Sequence, residues 1–359
     1  MKKFVALQVS SGDAFYLARE ETSILFDGGG SRVNFPRLFK NQLNQTHVNI
    51  IVCSHNDSDH TSGIIGYLKS SHTFNEIWLP ASWTARIDTL LLDPKQFFEE
   101  LLKNFLQLKN TKYLENTICS DTFENLNKLD MEHLIGQTGE YFIMPKNCLT
   151  RRQNKTFMTL LTMANRIREI ATLAYKSKKI VRWFQYSKTV PALGGESFLK
   201  PINCFELTQL HSKKMSALEY LYLSQANEES LVFYSPKVEA VADGVLFSAD
   251  SDYSFCQCKP IDLGFHPIIT VPHHGSKANE KAYSSKYLSQ FLNHKNTVFV
   301  RSDGCPKKSS RPGPMYIFLK NSKYCTRCNN CKLQQNQQSV VLLPMNRLWK
   351  SHSHICKCV

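Results

Sequence analysis

The feature that most constrains this chain is a cluster of metal-binding side chains in Ser54-His55-Asn56-Asp57-Ser58-Asp59-His60. The apolar residues 48–53 before it predict a buried strand, and residues 61–66 after it predict the start of a helix. Two imidazoles and two carboxylates so close together are costly to hold without a cation. This donor set suits Zn²⁺ or Mn²⁺, so the segment predicts a metal-binding turn at a strand end.

Four other apolar strands also end in possible ligands, and functional side chains gather at strand ends and in the loops that follow. These strand ends carry Asp27, His211, Asp250 and the pair His273-His274. We expect all five strand ends to meet at one edge and to form two metal centres that share a water or hydroxide. The expected ligands are His55, Asp57 and His211 for one centre, Asp59, His60 and His274 for the other, and Asp250 as a bridge.

Residues around these ligands are expected to assist the chemistry. Asp27 would hold a ligand or the water in place. The histidine of the pair that does not ligate would orient a ligand or protonate the leaving group; we favour His274 as the ligand. Asp252 competes with Asp250 for the bridging role. The residues predicted to be catalytic are Asp59, His60, Asp27 and His273, and those predicted to contact a substrate phosphate are Ser276 and Lys277.

Positive charge is distributed unevenly along the chain, whose formal net charge is +14. Residues 151–200 hold 11 Lys and Arg against two Glu, and residues 301–359 hold 11 against Asp303 alone. A basic surface beside an acidic metal centre suits a polyanion such as nucleic acid. The plainer interpretation, that these lysines only keep the protein in solution, stays open.

Five of the twelve cysteines fall within the last 35 residues. They are Cys325, Cys328, Cys331, Cys356 and Cys358. The Cys-x-x-Cys spacing is typical of a structural zinc site, although the return half, Cys-x-Cys, is irregular. We expect an additional structural Zn²⁺ here, with free thiols as the alternative.

Apolar segments give no indication of a membrane protein. No apolar run approaches the roughly 20 residues needed to cross a bilayer, and the N-terminal run is too short for a signal peptide. Clustered cysteines in a reducing compartment are more often metal ligands or thiols than disulfides. We therefore expect a cytoplasmic protein without a membrane partner.

The motifs together resemble the metallo-β-lactamase superfamily, and most closely the hydrolase domain of ComEC-type DNA-uptake proteins. The matching elements, in order, are Gly12-Asp13-Ala14, Asp27-Gly28-Gly29, the His-x-Asp-x-Asp-His turn, Leu210-His211, Asn227 to Val232, Asp250, and His273 to Ser276. The resemblance covers about residues 4–84 and 203–300. The chain departs from it by lacking membrane segments and by having Ser-Ala-Asp where relatives often have Thr-Gly-Asp.

The resemblance implies an α/β fold of the αββα metallo-β-lactamase type, with a helical insertion and a Cys-rich tail. Residues 1–84 and 203–300 would form its two halves, residues 85–202 a mainly helical basic insertion, and residues 301–359 the basic Cys/His-rich tail. It also implies a metal-dependent phosphodiesterase that holds two divalent ions, with DNA or RNA as the leading substrate.

Three other functions remain open at this point. The first is a hydrolase of a small phosphoester or nucleotide signal, and the second is a catalytically silent adaptor that binds nucleic acid. The third is a β-lactam or thioester hydrolase, which is disfavoured because Asp57 stands where those enzymes usually have a histidine. A protein partner is conceivable but unidentified, and the sequence does not indicate the oligomeric state.

Overall fold

A computed structural model describes residues 2–107, 149–210, 212–225, 229–255, 260–292, 294–302, 312–327, 339–351 and 356. Within these ranges the chain is an α/β structure with two mixed β-sheets and helices on their outer faces. No helix there is long and apolar enough to cross a membrane.

The larger sheet has nine strands in the order β15-β14-β1-β2-β3-β4-β5-β6-β8. Its central strands β3 to β6 run parallel, and the outer pairs are antiparallel. The strands are β1 (Lys3–Ala6), β2 (Phe15–Arg19), β3 (Thr22–Phe26), β4 (His47–Val52), β5 (Thr73–Pro80), β6 (Ile180–Tyr186), β8 (Cys204–Glu206), β14 (Val340–Met345) and β15 (Leu348–Ser351).

The smaller sheet has six strands in the order β13-β12-β11-β10-β9-β7. Strands β10 to β13 run parallel, whereas β9 pairs antiparallel with β10 and β7. The strands are β7 (Lys200–Pro201), β9 (Phe233–Ser235), β10 (Val245–Phe247), β11 (Ile268–Thr270), β12 (Val298–Arg301) and β13 (Ser322–Cys325).

Helices cover the outer face of each sheet. Those packed through apolar side chains on the larger sheet are α1 (Phe35–Leu43), α2 (Ser58–Lys69), α3 (Ile87–Leu92), α4 (Pro94–Gln107), α5 (Arg151–Lys176) and α6 (Ala217–Gln225). Two short helices, α7 (Ser285–Leu288) and α8 (Pro314–Phe318), pack on the smaller sheet. The longest helix, α5, starts at a capping box, in which Thr150 and Gln153 each accept the other's backbone N–H.

Alternation of side chains along the strands explains why two sheets stack. In β2, Phe15 and Leu17 face the other sheet, whereas Tyr16 and Ala18 face the outer helices, as the period of two requires. Between the sheets, the rings of Phe26 and Phe247 stack with centroids 4.7 Å apart. Both faces of the larger sheet are therefore buried, and its strands need to be apolar on both sides.

Some elements were not foreseen. Strand β6 lies in the range expected to be mainly helical, and it extends the larger sheet beside β5. Strands β14 and β15 come from the Cys-rich tail; β14 pairs with β1, the first strand of the chain, and β15 pairs with β14. The predicted division of the chain into domains stays a prediction.

Candidate metal centre

The structure brings the acidic and histidine-bearing strand ends to one edge of the molecule. Strands β3 and β4 are parallel neighbours, and so are β10 and β11. The residues after their carboxyl ends therefore share an edge, and the loops from the two sheets meet there. Two buried groups of possible ligands result, one of Asp13, His60, Asp250 and His274 and one of His55, Asp57 and Asp250.

Asp250 belongs to both groups and uses a different oxygen toward each. Its Oδ2 lies 3.7 Å from His55 Nε2, which is itself 3.8 Å from Asp57 Oδ2. Its Oδ1 lies 3.2 Å from His60 Nε2 and 3.8 Å from His274 Nε2. A carboxylate that faces two groups in this way is suited to bridge two cations.

Two further predicted residues lie beside these groups. Asp59 Oδ2 is 3.5 Å from His274 Nε2, at the second group. His273 Nε2 is 3.5 Å from Asp250 Oδ2, but His273 is a member of neither group. His274 is therefore the histidine of the pair that joins the second group, together with His60.

The donor atoms fit a cation. At the centre, His55 Nε2 and Asp57 Oδ1 are buried and have no hydrogen-bond partner among the residues that the structure describes. Buried polar atoms without partners cost free energy, so their convergence needs a compensating ligand. These buried groups, which offer both nitrogen and oxygen atoms, could hold a metal ion.

Asp27 and Ser54 orient two of the imidazoles from behind. Asp27 Oδ2 lies 2.8 Å from His60 Nδ1 and also accepts the Ser54 hydroxyl at 2.7 Å. Because Ser54 gives its only hydroxyl proton to Asp27, its oxygen must accept Nδ1–H from His55, 2.8 Å away. The Nε2 lone pair of His55 is then left to face the centre. Asp27 therefore contacts both His60 and Ser54, and its predicted role of holding a ligand in place stays a prediction.

Left-handed backbone conformations mark the turns that carry the ligands. His273 and His274 have φ of 45° and 54°, and Gly275 follows at 82°. Ala249, just before Asp250, has φ of 46°. Non-glycine residues rarely adopt this region, and such outliers cluster at functional sites where surrounding contacts hold them. One such contact is the His273 N–H donating to Ala249 O at 2.9 Å.

Charges within the centre shift the pKa values of its members. Burial alone would lower the pKa of His60, but the charges of Asp250 and Asp27 outweigh it and raise that pKa well above its usual value. Burial opposes ionisation of Asp250, yet the charges of His273, His60 and His274 hold its pKa well below its usual range. Asp250 and the imidazoles around it therefore stabilise one another's charged forms.

Asp13 is a member of the second group that the sequence did not assign to the site. Its Oδ1 lies 3.0 Å from His274 Nδ1, and burial raises the pKa of its carboxyl. The sequence does contain a sign of its importance, since Asp13 lies in the Gly12-Asp13-Ala14 motif of the resemblance. Its partner lies 261 positions away, so spacing could not reveal the contact.

Arg166, one of the basic residues in the range 151–200, lies on α5 and anchors the turn that carries His55 and Asp57. It is almost fully buried, and its Nε and Nη2 donate to Asn56 O at 3.0 and 2.7 Å. Asn56 Nδ2 returns a bond to Met163 O at 3.2 Å. The turn between His55 and Asp57 is therefore clamped by a helix from the range predicted to be an insertion.

Arg182, in the same range, also forms ion pairs within the fold. Arg182 is held by Glu206, Glu196 and Glu76 at 2.6, 2.5 and 3.4 Å. Lys176, Lys178 and Lys179 remain exposed. The surface charge available to a polyanion is thus smaller than the sequence count indicates.

The remaining predicted residues have varied environments. Ser276 is buried and its Oγ accepts the Ala278 N–H, whereas Lys277 is exposed. Asp252 accepts the Ser254 N–H and belongs to neither ligand group. His211 lies outside the described residues.

Two of the five tail cysteines are described and lie together. Both are buried, and Cys325 Sγ is 3.0 Å from Cys356 Sγ. Cys328, Cys331 and Cys358 lie outside the described residues, so the expected zinc site stays a prediction.

Comparison with protein-family models and with curated proteins gives no match. A function for this chain must therefore be argued from the residues of the centre and their geometry. The resemblance to the metallo-β-lactamase superfamily is carried by the sequence motifs alone.

Proposed function

We propose that this chain has a metallo-β-lactamase-type fold and hydrolyses phosphodiesters with the help of two divalent metal ions. The observation that carries the proposal is the sharing of Asp250 between two buried groups of possible ligand atoms. The stacked sheets with outer helices, and ligands at their common edge, are compatible with that fold.

Each side chain then has a role. His55 and Asp57 would hold one ion, Asp59, His60 and His274 the other, and Asp250 would bridge them. Two bound divalent ions would supply a more acidic water and neutralise negative charge on the oxygens of the attacked phosphate.

Two residues keep the site ready for that chemistry without binding an ion. Asp27 holds His60 Nδ1 and, through Ser54, the tautomer of His55. His273, whose Nε2 lies 3.5 Å from Asp250 Oδ2, would protonate the leaving group.

Nucleic acid is the substrate that we favour. The net charge of +14 and the exposed lysines at the end of α5 favour a polyanion. The engagement of Arg166 and Arg182 inside the fold supports the second candidate, a small phosphoester or nucleotide.

A cleavage panel tests the proposal. Single- and double-stranded DNA, RNA and cyclic dinucleotides would be incubated with the chain in Mn²⁺, Zn²⁺ and Mg²⁺. We expect Asp59→Ala to lower the rate by more than about 100-fold, because losing a ligand should exceed the cost of losing an outer partner. Asp252→Asn is the matched control, since Asp252 belongs to neither group. Equal cleavage by wild type and Asp59→Ala would refute the assignment.

A salt titration separates the two substrate classes. Binding of a polymer should fall linearly in log affinity with log salt, because each phosphate contact releases counterions. If the protein cleaves nucleotides with little dependence on salt and does not cleave polymers, the substrate is a small phosphoester or nucleotide.

A further inference from the structure

We propose that Asp13 is a positioning residue that fixes His274 for metal binding, as Asp27 fixes His60. The inference rests on the proposed function, since it concerns the same centre. Asp13 is neither one of the ligands expected from the sequence nor one of the residues expected to hold a ligand in place.

The two carboxylates make matching contacts. Asp27 Oδ2 lies 2.8 Å from His60 Nδ1, and Asp13 Oδ1 lies 3.0 Å from His274 Nδ1. In each case the carboxylate meets the nitrogen that points away from the centre, while Nε2 faces Asp250 at 3.2 Å and 3.8 Å. An Nδ1–H donated to a carboxylate fixes both the tautomer and the ring plane, leaving Nε2 as the donor atom.

Asp13 is itself held rigidly. Its N–H donates to Asp59 O at 3.2 Å, and its carbonyl accepts Gly29 N–H at 2.8 Å. Ser302 Oγ bonds to the residues on either side of Asp13: it accepts Ala14 N–H at 2.8 Å and donates to Gly12 O at 3.1 Å. This turn therefore ties the carboxylate to both sheets.

His274 needs such support because its own backbone is strained. It has φ of 54° and follows a residue that is also left-handed, so its side-chain direction depends on contacts that hold it. Asp13 and His274 are both fully buried, and no water competes for the bond. The geometry assigns Asp13 to orientation because its Oδ1 contacts Nδ1 of His274, the ring nitrogen on the side away from Asp250.

Metal binding by the purified full chain tests the role without any substrate. Equilibrium dialysis against Mn²⁺ or Zn²⁺, with metal analysis, gives the number of ions bound and their affinity. We expect Asp13→Ala to keep the wild-type number of ions but to bind one of them about 10–100-fold more weakly. Asp13→Asn should recover most of that loss, since its amide oxygen still accepts Nδ1–H. Ser302→Ala should give a smaller loss in the same direction.

Asp243→Asn is the matched control for removing a buried carboxylate. Asp243 sits before β10, at the end opposite Asp250, where it accepts His266 N–H. We expect this variant to bind metal as the wild type does, and circular dichroism would confirm that each variant is folded.

Three results would overturn the inference, and they differ from one another. Wild-type affinity in Asp13→Ala would leave the proposed function standing and remove the role of Asp13. Loss of one whole ion in both Asp13→Ala and Asp13→Asn would make Asp13 a ligand instead of a positioning residue. A wild-type chain that binds no ion would overturn the proposed function itself, and this inference with it.

Discussion

Gly63 lets helix α2 approach the loop after β3 closely enough to place His60. A Cβ at position 63 would lie 1.8 Å from Gly28 O and 2.8 Å from the Phe35 ring, and both contacts fall below the 3.0 Å that side chains tolerate. The helix would have to withdraw by about 1.2 Å, which would break the Gly63 N–H bond to Gly29 O, now 2.9 Å long. His60 would move with it, one turn away on the same helix.

We predict that Gly63→Ala destabilises the protein by about 3 kcal/mol. Overpacking against backbone costs up to about 3 kcal/mol, and a lost buried hydrogen bond adds about 1 kcal/mol. The better helix propensity of alanine offsets about 1 kcal/mol. Because His60 shifts, affinity for the metal at the second group should also fall about 10-fold or more.

Urea unfolding, followed by circular dichroism, and equilibrium dialysis measure the two effects. Ser62→Ala is the matched control, because it places the same alanine one residue earlier without adding volume. If Gly63→Ala unfolds at the same urea concentration as Ser62→Ala and binds metal as tightly, the packing of α2 on the Gly28 loop does not position His60.

Three further outcomes are expected. Asp27→Ala should weaken metal binding about 10–100-fold in dialysis, and unchanged affinity would remove its orienting role. Glu100→Gln should lower the free energy of unfolding by about 1 kcal/mol near neutral pH, because Arg86 holds the pKa of Glu100 below its usual value. A carboxyl with a lowered pKa stabilises the fold above its unfolded pKa, so the difference from wild type should vanish as the pH falls through the lowered pKa. A difference in unfolding free energy that persists at acid pH would contradict this. Cys356→Ser should remove one Zn²⁺ per chain without changing Mn²⁺ binding at the Asp250 centre, and unchanged zinc content would leave Cys356 as a thiol.

The ligand turn could be predicted from the sequence because its information is local. His55 to His60 are contiguous, and the apolar run before them placed the turn at the end of β4, which spans His47–Val52. Parallel pairing of β3 with β4 then explains why Asp27 reaches His60. Helices α4 and α5 lie within residues 85–202, the range expected to be mainly helical.

Contacts between distant parts of the chain could not be predicted in this way. Asp13 meets His274 across 261 positions, and Arg166 meets Asn56 across 110. Arg166 looked like surface charge because it lies among other basic residues, yet the packing of α5 against α2 buries it. Strands β14 and β15 were missed because the tail around them is polar and rich in cysteine.

The sharing of Asp250 by two metal ions is the central claim, and anomalous diffraction tests it most directly. Crystals grown with Mn²⁺ would be measured at wavelengths on either side of its absorption edge. We predict two anomalous peaks roughly 3.5–4 Å apart, one between His55 and Asp57 and the other beside His60 and His274, with one oxygen of Asp250 on each. A single peak away from Asp250, or none at the centre, would contradict the account.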